Sequence, residues 1–201
     1  TFVYHTLTDF ILLTLDGTVT YLTADGDTYW SCNGTGGLNG YQYDKESKSA
    51  TRTVTSIIPN SPIRNHCQYM NFVDDERLLI AGGCINYYDN TFFDGTLMMY
   101  EDGTWSSFQE EGIAEQTGVH YKNMTCIVQD PTDESHHFAS SFGQGIYEFR
   151  DMKLVRHLTD KNSELETAVP GSNRYTRISR LQYDKDGNLW ITNADGGNNV
   201  K

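Results

Sequence analysis

Residues 184–193 read DKDGNLWITN and join a tight-turn signal to a short apolar run. Asp and Gly tolerate the positive φ that two-residue hairpin loops require. The apolar residues on either side of the Asp186-Gly187 pair therefore predict two antiparallel strands joined by a tight turn.

Weaker versions of this pattern recur upstream, each with a turn followed by a bulky residue in the second strand. These bulky residues are expected to anchor successive sheets in the core, and they are Trp30, Ile80, Phe138 and Trp190. Their spacings of 50, 58 and 52 residues suit the four-stranded antiparallel blades of a β-propeller with loop insertions. An unrelated run of hairpins in a β-sandwich is the alternative.

The repeats predict an all-β chain, with residues 1–201 forming a single propeller domain or a fragment of one. The expected blades cover residues of about 18–57, 67–108, 123–158 and 177–201, the last being incomplete, with residues 1–15 supplying outer strands of another blade. The ring would then have about four blades or be part of a larger, seven-bladed one, and we favour the larger ring. One turn of helix is expected between Gly103 and Gly118.

The charge and the motif content of the chain argue against several classes of binding partner. The formal net charge is −12, so a nucleic-acid backbone or an anionic membrane would be repelled on average. No apolar run reaches the length of about eighteen residues that a membrane helix needs. No cofactor is expected, because phosphate-binding loops, catalytic serine elbows and zinc-protease motifs are missing from the sequence.

Metal binding is not expected either. The four cysteines lack a Cys-x-x-Cys spacing and are Cys32, Cys67, Cys84 and Cys126. They are interpreted mainly as small buried residues, and a disulfide between Cys67 and Cys84 is the alternative. His136 and His137 are adjacent in a predicted strand and should face opposite sides.

Three long connections are the expected carriers of function: Pro59 to Arg64, Gly83 to Gly95 and Thr159 to Tyr175. The second interleaves aromatic residues with Asn and Asp, which could stack on sugar rings and bind hydroxyl groups. The candidate ligand-binding residues are Tyr87, Tyr88, Asp89, Asn90, Phe92, Phe93 and Asp94. A loop that packs only on itself is the alternative.

A glycosidase would need two suitably spaced carboxyl groups, one with a raised pKa. Four acids in or near the aromatic loop are candidates, although solvated turn residues would look the same: Asp89, Asp94, Glu101 and Asp102. No catalytic residue is assigned.

Residues 184–191 resemble the two-component-regulator propeller repeat, whose units read Asp-x-x-Gly-Asn-Leu-Trp-Ile-Gly-Thr. Thr192 and Asn193 depart from its Gly-Thr. Residues 143–149 resemble the turn and third strand of the repeat, and residues 162–165 resemble its Asn-Ser-x-Leu connector.

The resemblance implies an extracytoplasmic protein, periplasmic or on the cell surface of a Gram-negative bacterium. It is slightly nearer to the amino-terminal propeller of PorZ-like proteins of type IX secretion than to the sensor ectodomains of hybrid two-component systems. We therefore expect a non-enzymatic module that binds a glycan or an envelope or secretion protein, with further blades of the same protein as partners. A ligand-sensing domain, and a polysaccharide lyase or glycoside hydrolase, are the alternatives.

Overall fold

The computed structural model describes residues 2–5, 10–13, 15, 19, 21–33, 37–83 and 93–195. They divide into two units, Thr1–Asn60 and Ser61–Lys201. Within the described residues, no helix is both long enough and apolar enough to cross a bilayer.

The first unit contains a short hairpin and a four-stranded antiparallel sheet. The hairpin pairs β1 (Phe2–His5) with β2 (Phe10–Leu13). The sheet, here the first meander, runs in chain order through β3 (Tyr21–Asp25), β4 (Thr28–Cys32), β5 (Leu38–Asp44) and β6 (Ser49–Ile57). Its buried hydrophobic residues Tyr29 and Tyr41 form a cluster with Leu15, which precedes the sheet.

The second unit holds two more four-stranded meanders and a hairpin. The second meander consists of β7 (Tyr69–Phe72), β8 (Leu78–Gly82), β9 (Thr96–Glu101) and β10 (Thr104–Ser107). After α1 (Ile113–Thr117), the third meander consists of β11 (Met124–Asp130), β12 (Asp133–Gly143), β13 (Gly145–Arg150) and β14 (Lys153–Leu158). The terminal hairpin is β15 (Thr176–Tyr183) and β16 (Leu189–Ala194). The helical turn expected between Gly103 and Gly118 is confirmed by α1.

Strand β12 joins the third meander to the terminal hairpin. It has eleven residues, more than its neighbours in the meander, and its last two pair with β15 through Phe142–Arg177 and Gly143–Thr176. The meander and the hairpin therefore share one six-stranded sheet.

Apolar side chains cover both faces of the third meander. One cluster joins it to the second meander and includes Leu79, Ile127 and Phe149. The other joins it to the terminal hairpin and includes Cys126 and Ile178. At roughly 25 cal/mol per Å² of apolar surface removed from water, burial of these clusters is the main favourable term that holds the second meander, the third meander and the terminal hairpin together.

The turn at residues 184–188 confirms the hairpin expected from the DKDGNLW motif. The Asp184 carboxylate accepts hydrogen bonds from the backbone N–H groups of Asp186 and Asn188, both at 2.9 Å, and from the Trp190 indole at 2.8 Å. These bonds, the indole first, lower the pKa of Asp184 to about 2. Gly187 has φ of +83°, a conformation that favours glycine.

The four expected anchors differ in burial. Ile80 is buried, Trp30 and Phe138 are partly buried, and Trp190 is 51% exposed. On β16 it is Leu189 and Ile191, one residue to either side of Trp190, that pack on the core cluster, because alternate residues of a strand face opposite sides.

The cysteines also differ from one another. Cys126 is buried, as expected, whereas the expectation of burial is wrong for Cys32 and Cys67, which are exposed. Cys84 lies outside the described residues.

Candidate functional site

Only part of the predicted aromatic loop can be placed. Tyr87, Tyr88, Asp89, Asn90 and Phe92 lie outside the described residues, whereas Phe93 and Asp94 lie within them. The Phe93 ring meets the His66 ring edge-on at 4.4 Å between centroids, and Asp94 is exposed.

This end of the loop pairs with the segment that leads into β11. Asp94 forms an isolated antiparallel bridge with Lys122. Phe93 donates its N–H to the Asn123 side-chain oxygen and accepts the Asn123 N–H, both at 3.0 Å. Phe93 and Asp94 therefore lie at the end of the third meander where β11 begins, which we call the leading end.

Gly95 makes this pairing possible. Its N–H donates to the Tyr121 carbonyl at 2.9 Å, and a Cβ at this position would lie 2.6 Å from the Tyr121 ring. Any side chain larger than hydrogen would therefore displace Tyr121, which leads directly into the segment that lines the pocket described next.

A small cavity of about 160 Å³, here the basic pocket, lies at the leading end. Its walls come from the segment before β11, the β12–β13 turn and the segment before β15: His120, Lys122, Asn123, Ser141, Phe142, Gly143, Gln144 and Arg174. Those lining residues include two cations and a histidine but no carboxylate, although the chain carries a net charge of −12.

A larger cavity of about 530 Å³, here the polar pocket, lies beside the basic pocket. It is lined by the end of α1 and the residues after it, by β14, and by the connection from β14 to β15: Gln116, Thr117, Gly118, Val119, Arg156, His157, Thr159, Asp160, Lys161, Asn162, Asn173 and Thr176. Its amide, hydroxyl and charged groups offer both hydrogen-bond donors and acceptors. Its volume falls in the range of small-molecule sites, about 300–1,000 Å³.

Gln144 lines the basic pocket and is hydrogen-bonded to a residue of the polar pocket. Its side-chain oxygen accepts hydrogen bonds from the Lys122 N–H at 3.3 Å and the Tyr147 hydroxyl at 3.2 Å. Its backbone carbonyl faces His157 Nε2 at 2.5 Å. The Tyr147 and His157 rings are stacked, with centroids 4.5 Å apart. Lys122 on the basic side and His157 on the polar side are therefore fixed to the same residue.

The connection from β14 to β15 is held at both ends. Asn162 donates to the His157 carbonyl at 2.9 Å, and its side-chain oxygen accepts the Thr159 N–H at 2.8 Å. Further along, the Thr176 hydroxyl donates to the Asp160 carboxylate at 2.8 Å. These bonds explain why a long loop forms a defined wall of the polar pocket.

Asn193 holds the middle of the same connection. It is fully buried, and its side chain accepts the Glu166 N–H at 2.6 Å and donates to the carbonyls of Glu166 at 2.9 Å and Arg177 at 3.2 Å. Asn193, which stands where the repeat consensus has Thr, thus connects the β14–β15 connection to β15 and β16 through its side-chain hydrogen bonds.

The paired histidines face opposite sides, as expected. His136 Nε2 lies 2.8 Å from Glu148 and Nδ1 lies 3.1 Å from Asp130, and Glu148 also pairs with the exposed Arg156 at 2.6 Å. His137 packs edge-on against Phe108, and burial lowers its pKa to about 4. Among the described residues, no three His, Cys, Asp or Glu side chains are grouped to hold a metal ion.

The candidate acids of the enzymatic alternative do not lie together in one place. Asp94 is exposed at the leading end, whereas Glu101 lies 3.5 Å from Arg77 and Asp102 sits at φ of +49° in the β9–β10 turn. Asp89 lies outside the described residues. Hydrogen bonds from neighbouring groups are the largest cause of lowered pKa values at five other carboxyl groups: Asp44, Asp74, Asp130, Asp133 and Asp184. A general acid needs the opposite shift, a raised pKa.

None of the candidate ligand-binding residues expected from the sequence lines the polar pocket. One signal was present, because the connection from Thr159 to Tyr175 was among the three loops expected to carry function. The proximity of this loop to α1 and to Gln144 depends on how the third meander and terminal hairpin pack, which no local pattern encodes.

No protein-family model and no curated protein matches the chain. Among solved structures, the chain is similar to PorZ of Porphyromonas gingivalis, described as an essential bacterial surface component of the type IX secretion system. The sequences are 24% identical and the TM-score is 0.70, over 90% of this chain and 24% of the PorZ chain. The chain thus spans about a quarter of the length of PorZ.

Two other solved structures match with lower similarity. The computationally designed Ika4 protein is 13% identical with a TM-score of 0.38, over 95% of this chain and 94% of that one. The extracellular domain of a protein described as a hybrid two-component system of B. thetaiotaomicron is 14% identical with a TM-score of 0.30, over 90% of this chain and 26% of that one.

The likeness to PorZ confirms the fold class predicted from the repeats. The chain is all-β, and its four-stranded antiparallel meanders are blades of the β-propeller type. At this level of identity the likeness shows the fold alone.

Proposed function

We propose that this chain is the β-propeller part of an extracytoplasmic protein and that it binds a glycan in the polar pocket. The observation that carries the proposal is the lining of that pocket, where amides, hydroxyls and charged groups surround a cavity of about 530 Å³. Sugar hydroxyls both donate and accept hydrogen bonds, so a wall that offers both kinds of group suits them.

The aromatic residues at the leading end add to this chemistry. The exposed faces of sugar rings are apolar and pack on aromatic side chains. The His157 ring lines the polar pocket and stacks on the fully buried Tyr147 ring behind it, and Phe93 lies at the same end of the third meander. A glycan is therefore favoured over a protein partner, which would need a larger surface than this cavity.

Location in the periplasm or on the surface of a Gram-negative bacterium is part of the proposal. The likeness to PorZ, a surface component of a secretion system, supports it, as does the repeat pattern of residues 184–191. A role in secretion or envelope assembly follows on the same ground. Protease accessibility in intact cells, and again after the outer membrane alone is permeabilised, tests the location: a surface protein is cleaved in the first case, a periplasmic one in the second, and a cytoplasmic one in neither.

A glycan array followed by isothermal titration with the best binder tests the function. Gln116→Ala and Asn173→Ala remove exposed amides of the polar pocket and should each weaken binding about five- to tenfold, the effect of one lost hydrogen bond. Gln42→Ala removes an exposed amide from β5 in the first unit and should leave the affinity unchanged. An array with no binder, or equal losses in all three variants, would refute the proposal, and binding of an envelope protein instead would favour the protein-partner alternative.

A further inference from the structure

We infer that His157 contacts the ligand of the polar pocket, with Nδ1 accepting a hydrogen bond from a ligand hydroxyl. This inference rests on the proposed function and names one of its specificity-determining residues. His157 lies in β14 and lines the polar pocket, opposite Tyr147 of β13 in the sheet register.

The hydrogen bond to Gln144 fixes which ring nitrogen carries the proton. The Gln144 carbonyl oxygen, 2.5 Å from His157 Nε2, can only accept, so Nε2 must donate. A neutral ring with its proton on Nε2 has an unprotonated Nδ1, which is an acceptor. The carbonyl thereby selects the tautomer.

The position of that carbonyl is itself determined. The Gln144 side chain accepts hydrogen bonds from Lys122 and Tyr147, and Gln144 also forms a parallel bridge with Thr176. The face of the His157 ring is held by its stack on Tyr147. Both the orientation and the tautomer of the ring are therefore set before a ligand arrives.

The neutral state of His157 has a physical cause. Burial lowers the pKa of His157, against an opposing effect of the Gln144 carbonyl. Burial also raises the pKa of the neighbouring Tyr147 hydroxyl, so that it stays protonated. The ring is thus uncharged at neutral pH, and Nδ1 keeps its lone pair.

Among the charged side chains of the polar pocket, hydrogen-bond donors outnumber acceptors, so a further acceptor matters for binding a ligand hydroxyl. Arg156 and Lys161 can only donate, and Arg156 is directed to Glu148 at 2.6 Å. Asp160 is an acceptor, and it already receives the Thr176 hydroxyl. His157 Nδ1 adds a neutral acceptor to this wall, which favours a ligand group that donates, such as a sugar hydroxyl.

Acid should weaken binding at this position. Because burial lowers the pKa of His157 below the ordinary histidine value, the ring is neutral at pH 7 and gains a proton only in more acidic solution. Protonation turns the acceptor into a donor and adds a third positive charge beside Arg156 and Lys161. Affinity is expected to be constant from pH 8 to 7 and to fall as the ring titrates.

The test uses the whole chain with ¹⁵N-labelled histidine. Long-range ¹H–¹⁵N spectra at pH 7 should show His157 as the neutral Nε2–H tautomer, and titration with maltose, lactose, cellobiose and the best array glycan should shift its Nδ1 resonance. His157→Gln keeps a donor toward the Gln144 carbonyl but lacks the second ring nitrogen. It should bind the same glycan about five- to tenfold more weakly and lose the acid dependence.

His120→Gln is the matched control, since His120 is an exposed histidine that lines the basic pocket instead. It should keep both the affinity and the pH profile of the unmodified chain. Thermal unfolding checks that both variants fold.

Two results would overturn the inference: an Nδ1–H or charged ring at pH 7, or glycan binding that leaves Nδ1 unshifted and His157→Gln unaffected. The second result would leave the proposed function standing, because binding itself would have been seen. Absence of any binding, with the Nε2–H tautomer observed, would remove the proposed function and with it the ligand contact.

Discussion

Replacing Asn193 by alanine should loosen the wall of the polar pocket and destabilise the second unit. The Asn193 side chain makes three hydrogen bonds, one from the Glu166 N–H and two to the carbonyls of Glu166 and Arg177. Alanine removes all three, including the acceptor that the Glu166 N–H meets at 2.6 Å.

The size of the effect follows from those bonds. Each contributes about 1 kcal/mol net, and a poorly solvated group that loses its partner costs about 1–3 kcal/mol. Water can reach part of the exposed connection and replace some of the loss, so we expect a decrease of about 2–4 kcal/mol in the free energy of unfolding. For a chain of this size that corresponds to a fall of roughly 5–15 °C in the melting temperature.

Urea denaturation measures the global effect, and hydrogen exchange measures the local one. In Asn193→Ala, the amide of Glu166 and peptides from residues 159–175 should exchange faster, whereas peptides from the first meander should not change. Asn173→Ala, which removes an exposed amide from the same connection, should stay within about 0.5 kcal/mol of the unmodified chain. A loss below about 1 kcal/mol with unchanged exchange at Glu166 would show that Asn193 does not hold the wall.

Three further changes test other parts of the structure. The Asp184 carboxyl has a pKa of about 2 in the folded chain against 3.8 in the unfolded chain, so its ionised form stabilises the fold above pH 4 and this stabilisation is lost toward pH 2. Asp184→Asn should lack this pH-dependent contribution to the free energy of unfolding. His137 has its pKa lowered to about 4 in the folded chain, so the unfolded chain takes up a proton first as the pH falls. The free energy of unfolding should therefore drop by roughly 3 kcal/mol between about pH 6.5 and 4, and this drop should be missing in His137→Phe. Both are measured by urea titration across pH, and an unchanged pH profile would contradict them. Gly95→Ala should lower the melting temperature and displace the Tyr121 resonances. In the control Gly103→Ala, the added Cβ meets no atom within 4 Å, so the only cost is the strain of a positive φ. Unperturbed Tyr121 resonances in Gly95→Ala would refute the close approach.

The fold was predictable because its signals are local. The Asp-Gly turn of residues 184–193 and its weaker relatives each specify a hairpin from a few neighbouring residues, and the hairpins appear where the pattern placed them. The role of Trp190 was not predictable in the same way. Its indole bonds to Asp184 across the turn and its side chain is half exposed, while Leu189 and Ile191 take the core positions.

The residues of the polar pocket were not predictable from local sequence, since the pocket is built from distant segments. The aromatic loop was predicted from its composition; its described end, Phe93 and Asp94, lies at the leading end of the third meander but lines neither the basic nor the polar pocket. Gln144 and His157 come from strands whose sequences show no functional pattern. Their importance follows from the register of β13 and β14 and from the Gln144 carbonyl, which only the folded backbone brings to the histidine.

Isothermal titration of the best array glycan into the unmodified chain and into Gln116→Ala, Asn173→Ala and Gln42→Ala addresses the polar pocket most directly. We predict saturable binding to the unmodified chain and to Gln42→Ala with equal affinity, and about five- to tenfold weaker binding to the two pocket variants. Binding that is identical in all four proteins would place the glycan elsewhere and contradict the assignment of this pocket.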